Sequence, residues 1–280
     1  MNNVELLAPA GNFSKLKTAL YFGADAAYPG GKEFSLRSFA DNFSREELVS
    51  AVKYAHALGK KVYVTVNIYA KNADLAPMED YFAFLQEAGA DAALISDPGV
   101  LAAAKKCAPR LPVHISTQAN ITNKYAVKFW REQGASRTVL ARELSLAEIA
   151  EIHAYVPDIE LEAFVHGAMC ISYSGRCLLS DYLTGRPSNR GECAQACRWN
   201  YSIRKNDDKS DSGWLGLEED ERGAYILNSK DLNMSAHLKE MSEAGVYSFK
   251  IEGRMKSEYY LATVINAYRR CIDGGFDGVI

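Results

Sequence analysis

KKVYVTVN (residues 60–67), MEDYFAFLQEAG (78–89) and ADAALISD (90–97) follow one another in the chain, and their reading decides the fold. The outer two are apolar runs of strand length, while the middle one repeats apolar residues at helical spacing and stops at a glycine. A strand, a helix and a second apolar strand make a βαβ unit, and such units build a parallel sheet covered by helices. The same alternation continues in both directions. Upstream lie VELLAPAG (4–11), FSKLKTALYFG (13–23), ADAAYPGG (24–31) and REELVSAVKYAHALG (45–59). Downstream lie VLAAAKKCA (100–108), PVHISTQ (112–118), KYAVKFWREQG (124–134), SRTVLARE (136–143), LSLAEIAEIHAYV (144–156) and DIELEAFVHG (158–167). The last unit is VYSFKIEG (246–253) with SEYYLATVINAYRRCI (257–272). These make eight strand–helix units in 280 residues, the count and approximate length of a (β/α)8 barrel. The expected fold is an α/β TIM-like barrel, with an open doubly wound sheet as the alternative.

One block breaks the rhythm. Residues 170–231 hold four cysteines, then WNYSIRK (199–205), a hydrophilic run (206–223) and AYILNS (224–229). The two alternating segments around a polar tip read as a β-hairpin. The block is expected to be an insertion in the loop after strand 7, giving barrel segments 1–169 and 232–280 around a cysteine-bearing insertion, 170–231. Barrel enzymes assemble their sites from the C-terminal ends of several strands. Here those ends are polar: Asn67, Asp97, Gln118, Arg142 with Glu143, His166, and Glu252 with Arg254. Any surface loop is polar too, so the set carries weight that no single member does.

Apolar residues make up 48% of the chain and charged residues 24%, enough to bury a core without disulfides. The start, MNNVELLAPAG, has no basic stretch followed by a long apolar run, and no segment reaches 18 uninterrupted apolar residues. A soluble, cytoplasmic protein with no membrane contact is therefore expected. In a reducing compartment, clustered cysteines read as metal ligands or catalytic thiols before disulfides. A net charge of −3 gives no overall attraction to a polyanion, so a nucleic-acid contact would need a local basic patch.

The cysteine spacing is Cys170-x6-Cys177-x15-Cys193-x3-Cys197, with Cys107 and Cys271 alone on predicted helices as core residues. Four converging thiolates suit zinc or an iron–sulfur cluster. Structural zinc draws its ligands as tight pairs, and only Cys193-x3-Cys197 fits that pattern. The wider x6 spacing suits a cubane, whose irons lie farther apart than one ion's ligands, so spacing favours the cluster and leaves zinc as the alternative. A Cys–His nucleophile is a further reading, since His166 precedes Cys170 by four residues. It would leave three cysteines without a role. No H-E-x-x-H, G-x-S-x-G or glycine-rich phosphate loop is present.

EAFVHGAMCISYSGRCLLS (162–180) closely resembles the signature of the collagenase-like peptidase family, peptidase family U32. GADAAYPGGKEFSLRSFADNFS (23–44), CAQACRW (193–199) and FKIEGRMKSEYY (249–260) resemble its other shared blocks, so the likeness spans nearly the whole chain. The family name implies proteolysis. Several members are nevertheless understood as iron–sulfur proteins assisting hydroxylation: of a tRNA wobble uridine with prephenate, of a ribosomal RNA cytidine, or of a ubiquinone precursor. The blocks HGAMCISYSGRCLLS and CAQACRWNY are most similar to the tRNA wobble-uridine branch. The resemblance thus implies a [4Fe–4S] cluster on Cys170, Cys177, Cys193 and Cys197, tRNA as partner, and support of uridine 5-hydroxylation. A peptidase and a non-catalytic, cluster-bearing partner subunit are the alternatives.

Within that reading His166 and Glu252 are the catalytic candidates. Arg37, Asn67, Gln118, Arg142, Arg176 and Arg254 are the substrate-binding candidates, arginine because it can hold a carboxylate such as prephenate in bidentate fashion. Arg198, Arg204 and Lys205 interleave with Trp199 and Tyr201, a combination that grips phosphate and stacks bases. Many relatives continue past the barrel into a C-terminal domain. A chain of this length is therefore expected to be a short paralogue working beside a longer partner, or part of a longer protein.

Overall fold

The computed structural model describes residues 4–36, 41–199, 219–220, 223–224 and 231–276. Its centre is a closed barrel of eight parallel strands. They are β1 (Glu5–Ala10), β2 (Ala26–Pro29), β3 (Lys61–Thr65), β4 (Ala92–Ile95), β5 (Val113–Ile115), β6 (Arg137–Val139), β7 (Glu160–Gly167) and β8 (Val246–Ile251). Each strand pairs in parallel with the next, and β8 pairs with β1 through Glu5 and Ser248, which closes the ring. That closure excludes the open doubly wound sheet.

Helices α1 (Phe13–Tyr21), α2 (Arg45–Ala57), α3 (Asn72–Glu87), α4 (Pro98–Cys107), α5 (Lys124–Glu132) and α6 (Leu146–Tyr155) follow the first six strands. The connection after β7 contains a short α7 (Leu179–Thr184) and then α8 (Leu238–Glu243), and α9 (Glu258–Asp273) follows β8. Their starts are written in the local sequence. Ser44 and Glu47 close a capping box on α2, and Ser145 and Glu148 do so on α6. Asp97 accepts the Val100 N–H ahead of Pro98, so this strand-end carboxylate is occupied as a helix cap. Helix α3 begins six residues before the predicted start and runs through Pro77.

Alternation along the strands sorts two cores. Leu6, Ala8, Val62, Val64, Ala93 and Ile95 face the helices, while Leu7, Ala26, Tyr28, Tyr63, Ala92 and Leu94 form a separate cluster inside the barrel. The inner layer is unusual in charge. Arg137 donates to Glu5 (2.5 Å), Glu160 (2.8 Å) and Glu162 (3.1 Å), and Lys250 donates to Glu162 (2.6 Å). Barrel interiors are normally filled by branched apolar residues.

The predicted hairpin of WNYSIRK and AYILNS lies almost wholly outside the described residues. Within the described part of the block, Glu219–Asp220 pairs antiparallel with Gly223–Ala224. No helix among the described residues is long and apolar enough to cross a membrane.

Candidate active site

The polar strand ends converge on a cavity of about 160 Å³ at the C-terminal mouth of the barrel. Tyr28, Leu94, Phe164 and Lys250 line it from the barrel interior, and Asn67, Gln118, Arg142, Glu252 and Arg254 from the strand ends. The chain after β7 covers it, and Cys170, Cys177, Cys193 and Cys197 all line the same space.

That covering loop is held against the rim at two places. Arg190 makes paired hydrogen bonds to Asp74 of α3 (3.0 and 3.2 Å) and a third to the Tyr69 carbonyl (2.7 Å). The Tyr69 N–H donates back to the Asn189 carbonyl (2.9 Å). Across the cavity, Asn120 donates to the Ser174 carbonyl (3.2 Å). Gly175, at φ +76°, approaches Gln118 so closely that a Cβ there would lie 1.9 Å from Oε1. Inside the loop, Ser180 accepts the Ala194 N–H (2.9 Å) and donates to the Arg186 carbonyl (2.8 Å), tying the second cysteine pair to α7.

Burial pushes the Cys197 thiol up; Cys170 raises it further, Arg198 opposes, and Cys193 and Cys177 add smaller upward effects. The other three sulfurs are therefore within electrostatic reach of Cys197. The Gln195 N–H donates to Cys193 Sγ (3.4 Å). Among the described residues, no three His, Cys, Asp or Glu side chains close on one point as a single metal ion requires. The four sulfurs line a shared space, and four thiols are a donor set that suits either zinc or an iron–sulfur cluster.

Five of the strand-end candidates meet at this cavity. Asn67 accepts the Leu36 N–H (3.3 Å) and donates to Ser116 (3.2 Å), bracing two rim loops. Arg142 donates to the Ala168 carbonyl (2.6 Å) and lies over the Phe164 ring (3.8 Å). Arg254 is buried and donates to Ser35 (3.0 Å), Thr65 (3.1 Å) and Asn42 (2.6 Å). Gln118 and Glu252 complete the set.

Two candidates are not brought there, and a third, Arg37, lies outside the described residues. Arg176 turns to the outer side of the loop, where it packs on and donates to Tyr69. His166, a catalytic candidate, does not line the cavity but packs on Tyr268 of α9, its Nδ1 3.3 Å from the hydroxyl and its ring edge-on at 5.5 Å. The reason is a bulge. Lys250 pairs with Phe164 but the next residue, Ile251, pairs with His166, so β7 gains a residue and the alternation beyond Phe164 is reversed. Burial also lowers the His166 pKa.

Lys250, Tyr28 and Phe164 were not singled out from sequence. The signal was present in VYSFKIEG, where one lysine interrupts a run otherwise fit for a buried parallel strand.

A family model described as peptidase family U32 matches residues 11–279. The chain is 48% identical over 269 residues to the tRNA hydroxylation protein P1 of Bacillus subtilis, covering 96% of this chain and 63% of that relative. It is 42% identical over 311 residues to the tRNA hydroxylation protein P of Escherichia coli, covering 98% of this chain and 69% of that one. The chain thus spans about two thirds of the length of these relatives. Among solved structures, the U32 peptidase Mk0906 superposes with a TM-score of 0.58 at 13% identity, over 90% of this chain and 94% of that one, a likeness of fold.

Proposed function

The chain belongs to peptidase family U32, and from that premise we propose that it supports hydroxylation of the uridine at the tRNA wobble position. The observation that carries this reading is the meeting of four cysteine thiols with Arg142, Glu252 and Arg254 in one rim cavity. The naming of both relatives as tRNA hydroxylation proteins supports the substrate.

Replacing a base C–H by C–OH removes two electrons from the base, work that side chains alone do poorly. Cys170, Cys177, Cys193 and Cys197 are the residues that would hold a [4Fe–4S] cluster, which supplies electron transfer when bound. The chain's own residues bind and orient. Arg142 and Arg254 offer charged donors to a small carboxylate co-substrate, prephenate by the family resemblance. Residues 168–199 carry four arginines, Arg176, Arg186, Arg190 and Arg198, against two acids, Asp181 and Glu192, on a chain of net charge −3. Tyr173, Tyr182 and Trp199 are exposed on the same loop. A basic, aromatic rim on an acidic protein suits an RNA backbone and its bases.

Mass spectrometry of tRNA nucleosides tests the reading. A deletion strain with no redundant paralogue should lack 5-hydroxyuridine derivatives, regain them with the wild-type gene, and fail to regain them with each Cys→Ala variant. Anaerobically purified protein should carry about four irons and four sulfides per chain. Hydroxyuridine persisting in the deletion sinks the reaction; stoichiometric zinc without sulfide sinks the cluster.

The family name favours a second reading, a thiol peptidase. Such an enzyme needs a base beside its nucleophile, and His166 packs on Tyr268 whereas Cys170 lines the cavity. Casein hydrolysis abolished by Cys170→Ala would restore that reading. A partner-subunit role, beside a longer relative, predicts that the purified chain alone leaves tRNA unmodified.

A further inference from the structure

The cavity floor carries a charge to which the cluster and co-substrate roles above give no part. Lys250 lies on β8, is 4% exposed and lines the cavity. Its ammonium donates to the fully buried Glu162 (2.6 Å), which Arg137 holds from below (3.1 Å). A row of buried charges stabilises a fold little, because each ion gives up its water, and apolar side chains of similar volume do as well or better. The row therefore needs another reason. A lysine ammonium has three N–H donors. Among the described residues its hydrogen-bond acceptor is Glu162, and the ring faces of Tyr28 (4.3 Å) and Phe164 (5.5 Å) lie beside it. Ring faces attract a cation but are weak hydrogen-bond acceptors, so the ammonium keeps donor capacity for an oxygen in the cavity.

We propose that Lys250 donates a hydrogen bond to an exocyclic carbonyl oxygen of a pyrimidine base drawn out of its RNA into this cavity, with Glu162 and Arg137 as positioning residues behind it. This rests on the RNA reading of the same cavity. Chemistry at a base carbon requires the base to leave its stack. The Arg142 guanidinium, stacked on Phe164 at 3.8 Å, is the kind of flat cationic surface on which an unstacked base packs. A carbonyl oxygen is the natural partner of a donor-only group, and a site built around such a bond rejects a base that cannot make it.

The test is fluorine NMR on an anticodon stem–loop carrying 5-fluorouridine at the wobble position. Wild-type protein should move the fluorine resonance as the base leaves its stack. Lys250→Met should abolish that shift while changing stem–loop affinity by less than about threefold, since phosphate contacts dominate affinity. Lys250→Arg should restore part of the shift. The Lys250→Met/Glu162→Gln double variant removes both charges together and should melt close to the wild type, which separates a lost donor from misfolding. In cells, hydroxyuridine should fall about tenfold or more in the Lys250→Met strain, the size expected for a hydrogen bond to a charged group. A fluorine shift unchanged in Lys250→Met overturns the role of Lys250. No shift with the wild type overturns the base in the cavity. Both results are independent of hydroxylation, whose absence would sink the functional reading alone.

Discussion

Gly30 shows how one residue sets the cavity wall. A Cβ on it would lie 2.1 Å from an Arg254 guanidinium nitrogen and 2.3 Å from Ser35 Oγ, so only a missing side chain lets the arginine reach Ser35, Thr65 and Asn42. Gly30→Ala is expected to destabilise the protein by ~1–3 kcal/mol through overpacking, read from the urea midpoint. In an Arg254→Ala background the same change should cost clearly less. Fully additive costs would show that the guanidinium is not what the methyl meets. Arg254 was legible from sequence as a strand-end arginine, but its burial was not. Lys250 and Glu162 were opaque for a related reason. A charged residue within a strand reads as solvent-facing until the sheet closes, and closure is what turns that face inward.

At the scale of elements, the cysteine loop depends on partners far away in sequence. The Arg190–Asp74 pair fastens it to the start of α3, and the two side chains are 29% and 17% exposed. Such a pair adds under ~1 kcal/mol to global stability. Its effect should be local. Arg190→Ala is expected to leave the melting temperature within a few degrees while hydrogen exchange and proteolysis rise across residues 171–199 and not in the barrel strands. Arg190→Lys should rescue poorly, because an ammonium cannot make the paired contact. Equal protection in the variant and wild type would show that the Asn120 and Gln118 side holds the loop alone. The eight strand–helix units were readable because their periods change sharply from strand to helix, with glycine or a cap at each junction. The bulge in β7 left no such mark. One extra residue reversed His166, and nothing in DIELEAFVHG distinguishes a bulged strand from a regular one.

Across the whole molecule, closure of the barrel gathers buried titratable groups that an open sheet would leave solvated, and this gives stability a direction in pH. His114 is 5% exposed, stacks edge-on against Tyr63 at 4.7 Å, and has no hydrogen-bond partner at Nδ1 among the described residues. Burial drives its pKa well below 6.5, and Arg137, Lys250 and Lys61 push the same way. His166 is lowered as well, by burial first, with Asp231 opposing and Lys256 adding to the decrease. In the unfolded chain both imidazoles take up a proton near their ordinary value of 6.5, whereas in the folded chain each waits for a lower pH. The unfolded state therefore binds more protons in that interval, and stability rises with pH across it. Stability should be complete above about pH 6.5 and fall as the pH drops, by up to ~1.4 kcal/mol per pH unit for each histidine until its folded pKa is reached. The lowered carboxylates Asp74 and Glu148 act below their ordinary 3.8 and 4.5, so urea midpoints between about pH 5 and 7 isolate the histidines. His114→Gln should remove the larger and longer part of the slope. A slope that survives it unchanged would place the acid sensitivity outside the barrel interior.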